Sequence, residues 1–141
     1  MRLPIQIVAF LFRKGNGKTQ YLIAKRIPET GGFWQPISGG LEEGETKIEA
    51  LKREIREETG IRNVGRIIED VDYFEFSNVQ MSTHLIKAYV YGVEIFPNEK
   101  VVIGEEHCEF KWCSFHEALR LMKCMHIDCK EALRKLNLIL T

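Results

Sequence analysis

The sequence predicts an α+β fold in which a mixed β-sheet carries helices on its faces. Three observations lead to this prediction. Two pairs of apolar, β-rich runs are each joined by a turn, which indicates two β-hairpins. A segment with helical periodicity lies between the hairpins, and two further helix signals follow a short strand near the end of the chain. Groups of strands are therefore separated by helices along the chain.

Length and composition indicate one domain. The chain has 141 residues, 45% of them hydrophobic, which is enough for a real core, so we expect residues 1–141 to form a single domain. The formal net charge is zero, so no basic field attracts a nucleic-acid polymer or an anionic membrane from a distance. No apolar run approaches the roughly 20 residues of a membrane span, and the short apolar run at the N-terminus is typical of a strand. We therefore expect a cytoplasmic protein.

The first hairpin opens the chain. Residues 4–13 and 20–27 are apolar and rich in β-forming residues, and the turn between them at 14–18 contains two glycines and an asparagine. A loop follows at 28–32, where proline and glycine interrupt the pattern. This stretch is predicted to be a β-hairpin followed by a loop.

The next stretch is expected to approach the central helix without helical structure. Pro36 excludes a helix across residues 33–38. Gly39 and Gly40 follow, and two adjacent glycines let the backbone approach a ligand closely. Such an approach suits a phosphate group, or a metal ion that contacts a backbone carbonyl.

A helix is predicted from about Thr46 to Gly60. Thr46 and Glu49 can form a capping box at its start, and Gly60 can end it in the left-handed conformation. Because helical residues advance by about 100° each, apolar side chains form one stripe that must face a core. The stripe consists of Ile48, Leu51 and Ile55.

Three glutamates share a second face of this helix. Glu54, Glu57 and Glu58 are spaced i, i+3, i+4. The like-charge pair at i, i+4 is mildly destabilising in water, and partial burial would raise the pKa values of the cluster. A hard divalent cation such as Mg²⁺ resolves this conflict, because it prefers oxygen ligands. The alternative is a solvated, glutamate-rich face on which Arg53 and Glu57 form an ordinary surface ion pair.

The second half of the chain begins with a long hairpin. Residues 64–76 and 81–96 are extended runs, joined by a turn at 77–78. A polar loop is predicted at 97–107, followed by a short strand at 109–113. These runs supply the second group of strands for the sheet.

Two helices are predicted to end the chain. Ser114 starts the first of them with its own capping box, and this helix reaches about residue 125. Asp128 repeats the signal for a last helix, which reaches about residue 138. The complete order is hairpin, loop, helix, hairpin, strand, helix, helix, which supports the mixed sheet with flanking helices.

The four cysteines do not favour a zinc site. They form two C-x4-C pairs near histidines, whereas zinc knuckles usually have C-x2-C spacing. The pairs also fall on strand and helix patterns, so we expect reduced, partly buried thiols. The cysteines are Cys108, Cys113, Cys124 and Cys129.

The stretch from Gly39 to Ile61 matches one long pattern, GxxxxxE-x7-RE-apolar-xEExG-apolar, with every position filled. A chance match is on the order of one in ten million per start point. The stretch resembles the Nudix box, the signature of the Nudix hydrolases. This resemblance implies an α/β/α sandwich with the box as a loop–helix–loop on one side. It also implies Mg²⁺-dependent hydrolysis of a pyrophosphate bond in a nucleoside triphosphate or a related diphosphate-X compound.

The resemblance implies a metal site for Mg²⁺, with Mn²⁺ as a possible substitute. Arg53, with Glu45, is expected to hold the loop and orient the carboxylates, so it is counted with them among the catalytic residues. Outside the box, Glu106 is the candidate for an additional metal ligand or for the general base. Glu105 is the weaker candidate, and the alternative for both is a solvated loop position. The predicted metal ligands are Glu54, Glu57, Glu58, Gly39 and Glu106.

Two short segments outside the box resemble the branch that hydrolyses dATP or dihydroneopterin triphosphate. They are FWQ-x-x-x-G before the box and EH-x-x-x-x-W after the long loop. The resemblance implies a small nucleotide or pterin triphosphate as substrate, and a monomer or homodimer. Trp34 is expected either to stack on the base or pterin or to anchor the core. The predicted substrate-binding residues are Arg26 for a phosphate, Trp34, Gln35 for a base edge, Gly39 and Gly40.

Two other functions stay open on the sequence. A dinucleoside polyphosphate hydrolase shares the box and could also use Trp34. The non-enzymatic alternative is a Nudix-fold module that senses a nucleotide without cleaving it. Such modules usually lose one or more of the box carboxylates, whereas this chain has all of them.

Overall fold

The computed structural model describes residues 2–77, 85–122 and 129–141. Runs of strands are separated by helices along these ranges, as expected for an α+β fold. The strands are β1 (Arg2–Gly15), β2 (Lys18–Arg26), β3 (Trp34–Gln35), β4 (Ile37–Glu42), β5 (Ile67–Ser77), β6 (Leu85–Glu94) and β7 (His107–Cys113). The helices are a short 3-10 helix (Pro28–Thr30), α1 (Lys47–Thr59), α2 (Phe115–Leu121) and α3 (Cys129–Leu140).

The described strands form one mixed sheet. Its main order is β3-β2-β1-β6-β5, while β4 pairs with β1 and β7 pairs with β2. β1 and β6 run parallel, and the other described pairs are antiparallel. The prediction of a mixed sheet is therefore confirmed.

The sheet forks beside β1, and this fork positions the site. The end of β1 pairs with β2, where Phe12 lies opposite Tyr21. The earlier part of β1 pairs with β4 instead, where Ile7 lies opposite Gly39. Because β6 occupies the other edge of β1, β2 and β4 share the same edge at different heights. β3 and β7 stay with β2, so two branches of the sheet leave β1 separately.

Helices cover both faces of the sheet and give three layers, which confirms the α/β/α sandwich. Successive residues of β1 point to opposite faces, so this strand serves both cores. One face packs on α1 through buried residues that include Ile7, Ala9, Leu11, Leu51 and Ile55. The other face packs on α2 and α3 through Val8, Phe10, Phe12, Ala118, Leu133 and Leu136, among others.

The central helix forms as its capping residues predict. The Thr46 side chain accepts a hydrogen bond from the Glu49 backbone N–H at 3.1 Å, and the Glu49 carboxylate accepts one from the Thr46 N–H at 2.8 Å. Gly60 ends the helix with φ of 76°. Leu51 and Ile55 are fully buried, as the apolar stripe requires.

Apart from small shifts of strand ends, three features differ from the sequence prediction. The helix after Ser114 ends at Leu121 instead of about residue 125, because Met122 adopts an extended conformation and forms a bridge with Trp34. His107 belongs to β7 instead of the preceding loop, because it pairs with Arg26. The run after Pro36, which had no predicted strand, pairs with β1 as β4. The predicted start of the last helix at Asp128, and the predicted strand residues 81–84, lie outside the described residues.

Two further features concern the cysteines and the membrane. Cys113 and Cys129 are buried in the core between the sheet and the last two helices, and Cys108 is exposed, all three as free thiols. Cys124 lies outside the described residues. Across residues 2–77, 85–122 and 129–141, no helix has both the length and the apolar character to cross a membrane.

Candidate active site

A cavity of about 410 Å³ lies where the two branches of the sheet separate beside α1. It brings together box residues from α1, the glycine of β4, the end of β2, and the loop that leads into β7. Six predicted site residues therefore meet in one place. The full lining is Gln6, Arg26, Ser38, Gly39, Glu54, Glu57, Glu58, Gly104, Glu105, Glu106 and His107.

A larger cavity of about 600 Å³ lies by the start of α1 and the strands β5 and β6. It contains three tyrosines, and Lys47 of its wall stacks on the Tyr89 ring with the ammonium 3.8 Å from the ring centre. None of the box carboxylates lines it. We assign the site to the smaller cavity, because that cavity alone of the two holds the acidic face of α1.

Arg53 organises the box through hydrogen bonds to four residues. Its Nε and Nη2 form a bidentate pair with Glu45 at 2.6 and 3.0 Å, and its Nη1 contacts Glu54 at 2.8 Å. Nη1 also reaches Glu57 at 3.4 Å, and Nη2 donates to the Gly40 carbonyl at 2.9 Å. The hydrogen bonds from Arg53 lower the pKa of Glu45 to about 2. This geometry suits the predicted supporting role of Arg53, and that role stays a prediction.

Glu54 packs directly against the backbone of β4. A Cβ atom at Gly39 would overlap the Glu54 carboxyl group, so only glycine leaves room for this side chain. Glu54 is 6% exposed and pairs with Arg53. The glycine that the box requires therefore has a steric reason in this fold.

Glu58 is the most strongly perturbed carboxyl group of the site. It is 6% exposed, and its Oε2 atom is buried without a hydrogen-bond partner. Burial, followed by the charges of Glu54 and Glu106, raises the pKa of Glu58 to about 8, while Arg26 and a hydrogen bond from the Ser38 backbone act in the opposite direction. A buried carboxylate oxygen without a partner is costly unless a positive charge or a donor reaches it. This oxygen therefore fits a hard cation as ligand.

The remaining acids of the cavity are more exposed. The Glu57 side chain is 54% exposed, and Glu105 and Glu106 lie exposed on the loop before β7. No three His, Cys, Asp or Glu side chains within the described ranges are grouped closely enough to hold a metal as they stand. Since Glu57 and Glu106 are at the surface, their side chains are free to turn towards Glu58 at little packing cost. The proposed set of metal ligands stays a prediction.

The predicted substrate-binding residues divide into two groups. Arg26 and Gly39 line the cavity, and the Nε atom of Arg26 donates to Thr30 at 3.1 Å. Gly40, Gln35 and Trp34 do not line it. The Gly40 carbonyl accepts from Arg53, and Gln35 contacts His107. Trp34 packs on the core beside α2 and α3, outside this cavity. Its stacking on a base or pterin stays a prediction.

His107 is the site residue that the sequence analysis did not single out. It is 4% exposed, and burial, with the charge of Arg26, lowers its pKa. The segment EH-x-x-x-x-W contained it, but a histidine at a predicted loop end gave no reason to expect a buried ring. The other unpredicted wall residues have no sequence pattern of their own, and they are Gln6, Ser38 and Gly104.

Comparisons with known proteins agree with this geometry. The NUDIX domain family model matches residues 3–136. The chain is 35% identical over 120 residues to an octanoyltransferase of Myxococcus xanthus, and the match covers 82% of this chain but spans only 32% of that protein. It is 27% identical over 129 residues to the dihydroneopterin triphosphate diphosphatase of Escherichia coli K12, covering 85% of this chain and 84% of that protein. A NUDIX hydrolase-type structure from Listeria monocytogenes superposes with a TM-score of 0.84 at 25% identity, covering 98% of this chain and 94% of the other. With its complete box, the chain belongs to the NUDIX domain family, the Nudix hydrolases.

Proposed function

We propose that the protein is a Mg²⁺-dependent pyrophosphohydrolase that cleaves a nucleoside triphosphate or a related diphosphate-X compound. One observation carries the proposal. The buried Glu58 carboxyl group, with an oxygen that has no hydrogen-bond partner, faces a cavity walled by the other acids of the box. Such a group does not stabilise a purely structural helix, whereas a metal-dependent hydrolase can use it as a metal ligand.

The charge of the cavity supports a cation-dependent reaction. Five carboxyl groups and one guanidinium group line it, namely Glu54, Glu57, Glu58, Glu105, Glu106 and Arg26. A polyphosphate would be repelled by this wall, because its oxygens are also negative. A divalent cation between the acidic wall and the polyphosphate attracts both, so it replaces this repulsion by attraction.

The donor set fits Mg²⁺, because it consists of hard oxygens. Glu54, Glu57 and Glu58 would hold the ion, with a backbone carbonyl at Gly39 and the Glu106 carboxylate as further ligands. When bound, Mg²⁺ supplies positive charge to the phosphate oxygens and lowers the pKa of a coordinated water. Mn²⁺ takes the same kinds of ligand and is expected to substitute.

The residues of the chain supply orientation and proton transfer. Arg26 lies in the wall with its guanidinium group available to bind a phosphate oxygen, which positions the bond to be cleaved. Arg53 holds three box carboxylates in place through the contacts described above. Glu106, exposed at the edge of the cavity, has an alternative to the ligand role, which is to accept a proton from the attacking water.

The substrate class rests on the relative from E. coli and on the two segments that resemble its branch. We propose a dATP-like nucleotide or dihydroneopterin triphosphate as the substrate. Diadenosine tetraphosphate hydrolysis is the alternative with the same chemistry. A nucleotide-sensing module is the alternative without chemistry, and the complete set of box carboxylates argues against it.

A substrate panel tests the proposal. The protein is incubated with dATP, dihydroneopterin triphosphate or diadenosine tetraphosphate, with Mg²⁺ or with EDTA, and pyrophosphate, orthophosphate and nucleotide products are measured. We expect Mg²⁺-dependent release of pyrophosphate from one of the first two compounds. Nucleotide binding without Mg²⁺-dependent turnover of any compound would contradict the enzymatic proposal.

A matched pair of variants connects that activity to the site. Glu58→Gln removes the buried carboxylate and should lower kcat by a factor of about 100 or more, since a metal ligand is lost. Glu43→Gln makes the same chemical change at an exposed position of the box that the pattern leaves free, and should keep wild-type activity. Equal turnover in both variants would remove Glu58 from the site.

A further inference from the structure

Two side chains that line the active-site cavity each have one buried polar atom without a hydrogen bond. The two atoms are Nδ1 of His107 and Oε2 of Glu58, and neither has a hydrogen-bond partner within the described part of the chain. The same Nδ1 atom lies 4.0 Å from Oε1, the other oxygen of Glu58. Buried polar groups are nearly always hydrogen-bonded in native proteins. Two unpaired atoms on neighbouring side chains therefore indicate a functional role for these side chains.

The backbone around His107 holds its ring in this position. His107 lies opposite Arg26 in the ladder between β2 and β7. Its N–H donates to the Gly104 carbonyl at 3.4 Å, and the preceding carbonyl, of Glu106, accepts from the Ile27 N–H at 3.2 Å. Only 4% of the residue is exposed, so the neighbouring residues enclose the ring.

Gln35 decides which ring nitrogen of His107 carries the proton. Its amide nitrogen Nε2 lies 3.2 Å from Nε2 of His107. An amide nitrogen only donates, so the imidazole Nε2 must accept, and the proton of the neutral ring then lies on Nδ1. With this tautomer, the ring N–H group is on the nitrogen that lies 4.0 Å from Oε1 of Glu58.

We propose that His107 is a positioning residue for Glu58, and that Gln35 sets the tautomer which makes this possible. The Nδ1–H group, as donor, restrains the Glu58 carboxylate in the direction that ligand binding requires. The separation of 4.0 Å exceeds a direct hydrogen bond, and a small torsion of Glu58 or one bridging water closes it. This role rests on the proposed function, because it concerns the same carboxylate.

Two variants of similar size separate the two ring nitrogens. His107→Asn keeps an amide donor near the Nδ1 position, whereas His107→Gln places its amide near the Nε2 position and leaves nothing facing Glu58. We expect His107→Gln to lower kcat by about 10- to 100-fold with a KM change below about threefold, and His107→Asn to stay within about fivefold of wild type. His116→Gln, at an exposed position of α2, is the control and should be unchanged.

The partner of His107 gives a second test that does not change the ring. Gln35→Met removes the amide that sets the tautomer while keeping a similar side-chain length. We expect kcat to fall by about 3- to 10-fold, and the double variant with His107→Gln to show no further loss beyond His107→Gln alone. Additive losses would mean that Gln35 acts on its own, which overturns its part in the proposal.

Mn²⁺ affinity distinguishes positioning from direct substrate contact. If His107 positions Glu58, His107→Gln weakens Mn²⁺ binding by about tenfold in calorimetry without substrate, and His107→Asn restores it. If His107 instead contacts a substrate phosphate, Mn²⁺ affinity is unchanged and KM rises, which overturns the proposal.

Nitrogen-15 NMR of the metal-free protein decides the tautomer without any activity. We expect Nδ1 of His107 to be protonated and Nε2 to be unprotonated at pH 7. Glu58→Gln should shift the Nδ1 resonance, whereas Glu43→Gln should not. The opposite tautomer, or a resonance that Glu58→Gln leaves in place, overturns the inference. Absence of turnover with every substrate contradicts only the proposed function, so the two failures are distinguishable.

Discussion

Glu58 gives a measurable consequence for stability, because its burial changes the proton affinity of the folded protein. The pKa of Glu58 is raised from 4.5 to about 8 when no metal is bound. The folded state therefore holds a proton that the unfolded chain releases at lower pH. The stability from this proton is fully present below a pH of about 4.5 and is lost as the pH rises through about 8.

The size of the loss follows from the two pKa values. Each pKa unit corresponds to about 1.4 kcal/mol of differential interaction. Between pH values of about 5.5 and 7.5, linkage then predicts a loss of roughly 2 kcal/mol in the free energy of unfolding. The lowered pKa of His107 has the opposite sign, because the folded state binds that proton less tightly, so stability rises with pH there. The wild type and Glu58→Gln both contain His107, so its contribution to the pH dependence is reduced in the difference between their free energies of unfolding.

The variant Glu58→Gln isolates the carboxyl group. Glutamine does not ionise, so the free energy of unfolding of Glu58→Gln should stay roughly level over this pH interval while the wild type loses stability. Urea unfolding in EDTA at both pH values measures the difference, with Glu43→Gln as a control that should follow the wild type. An identical pH profile for Glu58→Gln and the wild type would refute the raised pKa and the burial on which the site assignment depends. Addition of Mg²⁺ at the higher pH should stabilise the wild type more than Glu58→Gln.

Three other perturbations test the organisation of the box. Arg53→Ala removes the contacts with Glu45, Glu54 and the box backbone. We expect kcat to fall by about 10- to 100-fold and Mn²⁺ binding to weaken in calorimetry. An unchanged kcat together with unchanged Mn²⁺ affinity would exclude the supporting role. Gly39→Ala places a methyl group where the Glu54 carboxyl group lies. The free energy of unfolding in urea should fall by about 1–3 kcal/mol, and Mn²⁺ binding should weaken. Gly15→Ala, which has nothing within 4 Å, is its control and should leave Mn²⁺ affinity unchanged. The pKa of Glu45 is lowered to about 2, so the stability that this carboxylate contributes is lost as the pH falls from about 4.5 towards 2. Glu45→Gln should therefore show a weaker dependence of stability on pH in acid unfolding, followed by circular dichroism. A dependence as steep as that of the wild type would contradict the ion pair with Arg53.

Local rules predicted the central helix well and the later elements less well. The capping box at Thr46 and the left-handed Gly60 are interactions within four residues, so the sequence contains all of their partners. The helix after Ser114 stops early because Met122 pairs with Trp34, far away in the chain. A sequence pattern does not reveal such a partner in advance.

The site shows the same division. The spacing of Glu54, Glu57 and Glu58 placed all three on one helix face, and the structure puts all three in one cavity wall. The sequence did not distinguish the buried Glu58 from the half-exposed Glu57, since burial depends on what covers the helix. His107 was missed for the same reason, because its environment is made by the pairing of β7 with β2 and by Gln35 on another strand.

The sequence by itself determined the class of fold, the limits of α1, the acidic face and membership of a family with a complete box. These properties follow from short-range periodicity, capping and residue spacing, which a chain expresses wherever it folds. The tertiary structure alone decided which carboxyl group is buried, which glycine makes room for Glu54, and which histidine faces Glu58. The reason is physical: desolvation, steric exclusion and hydrogen-bond direction arise from contacts between residues far apart in sequence, and the fork beside β1 creates those contacts here.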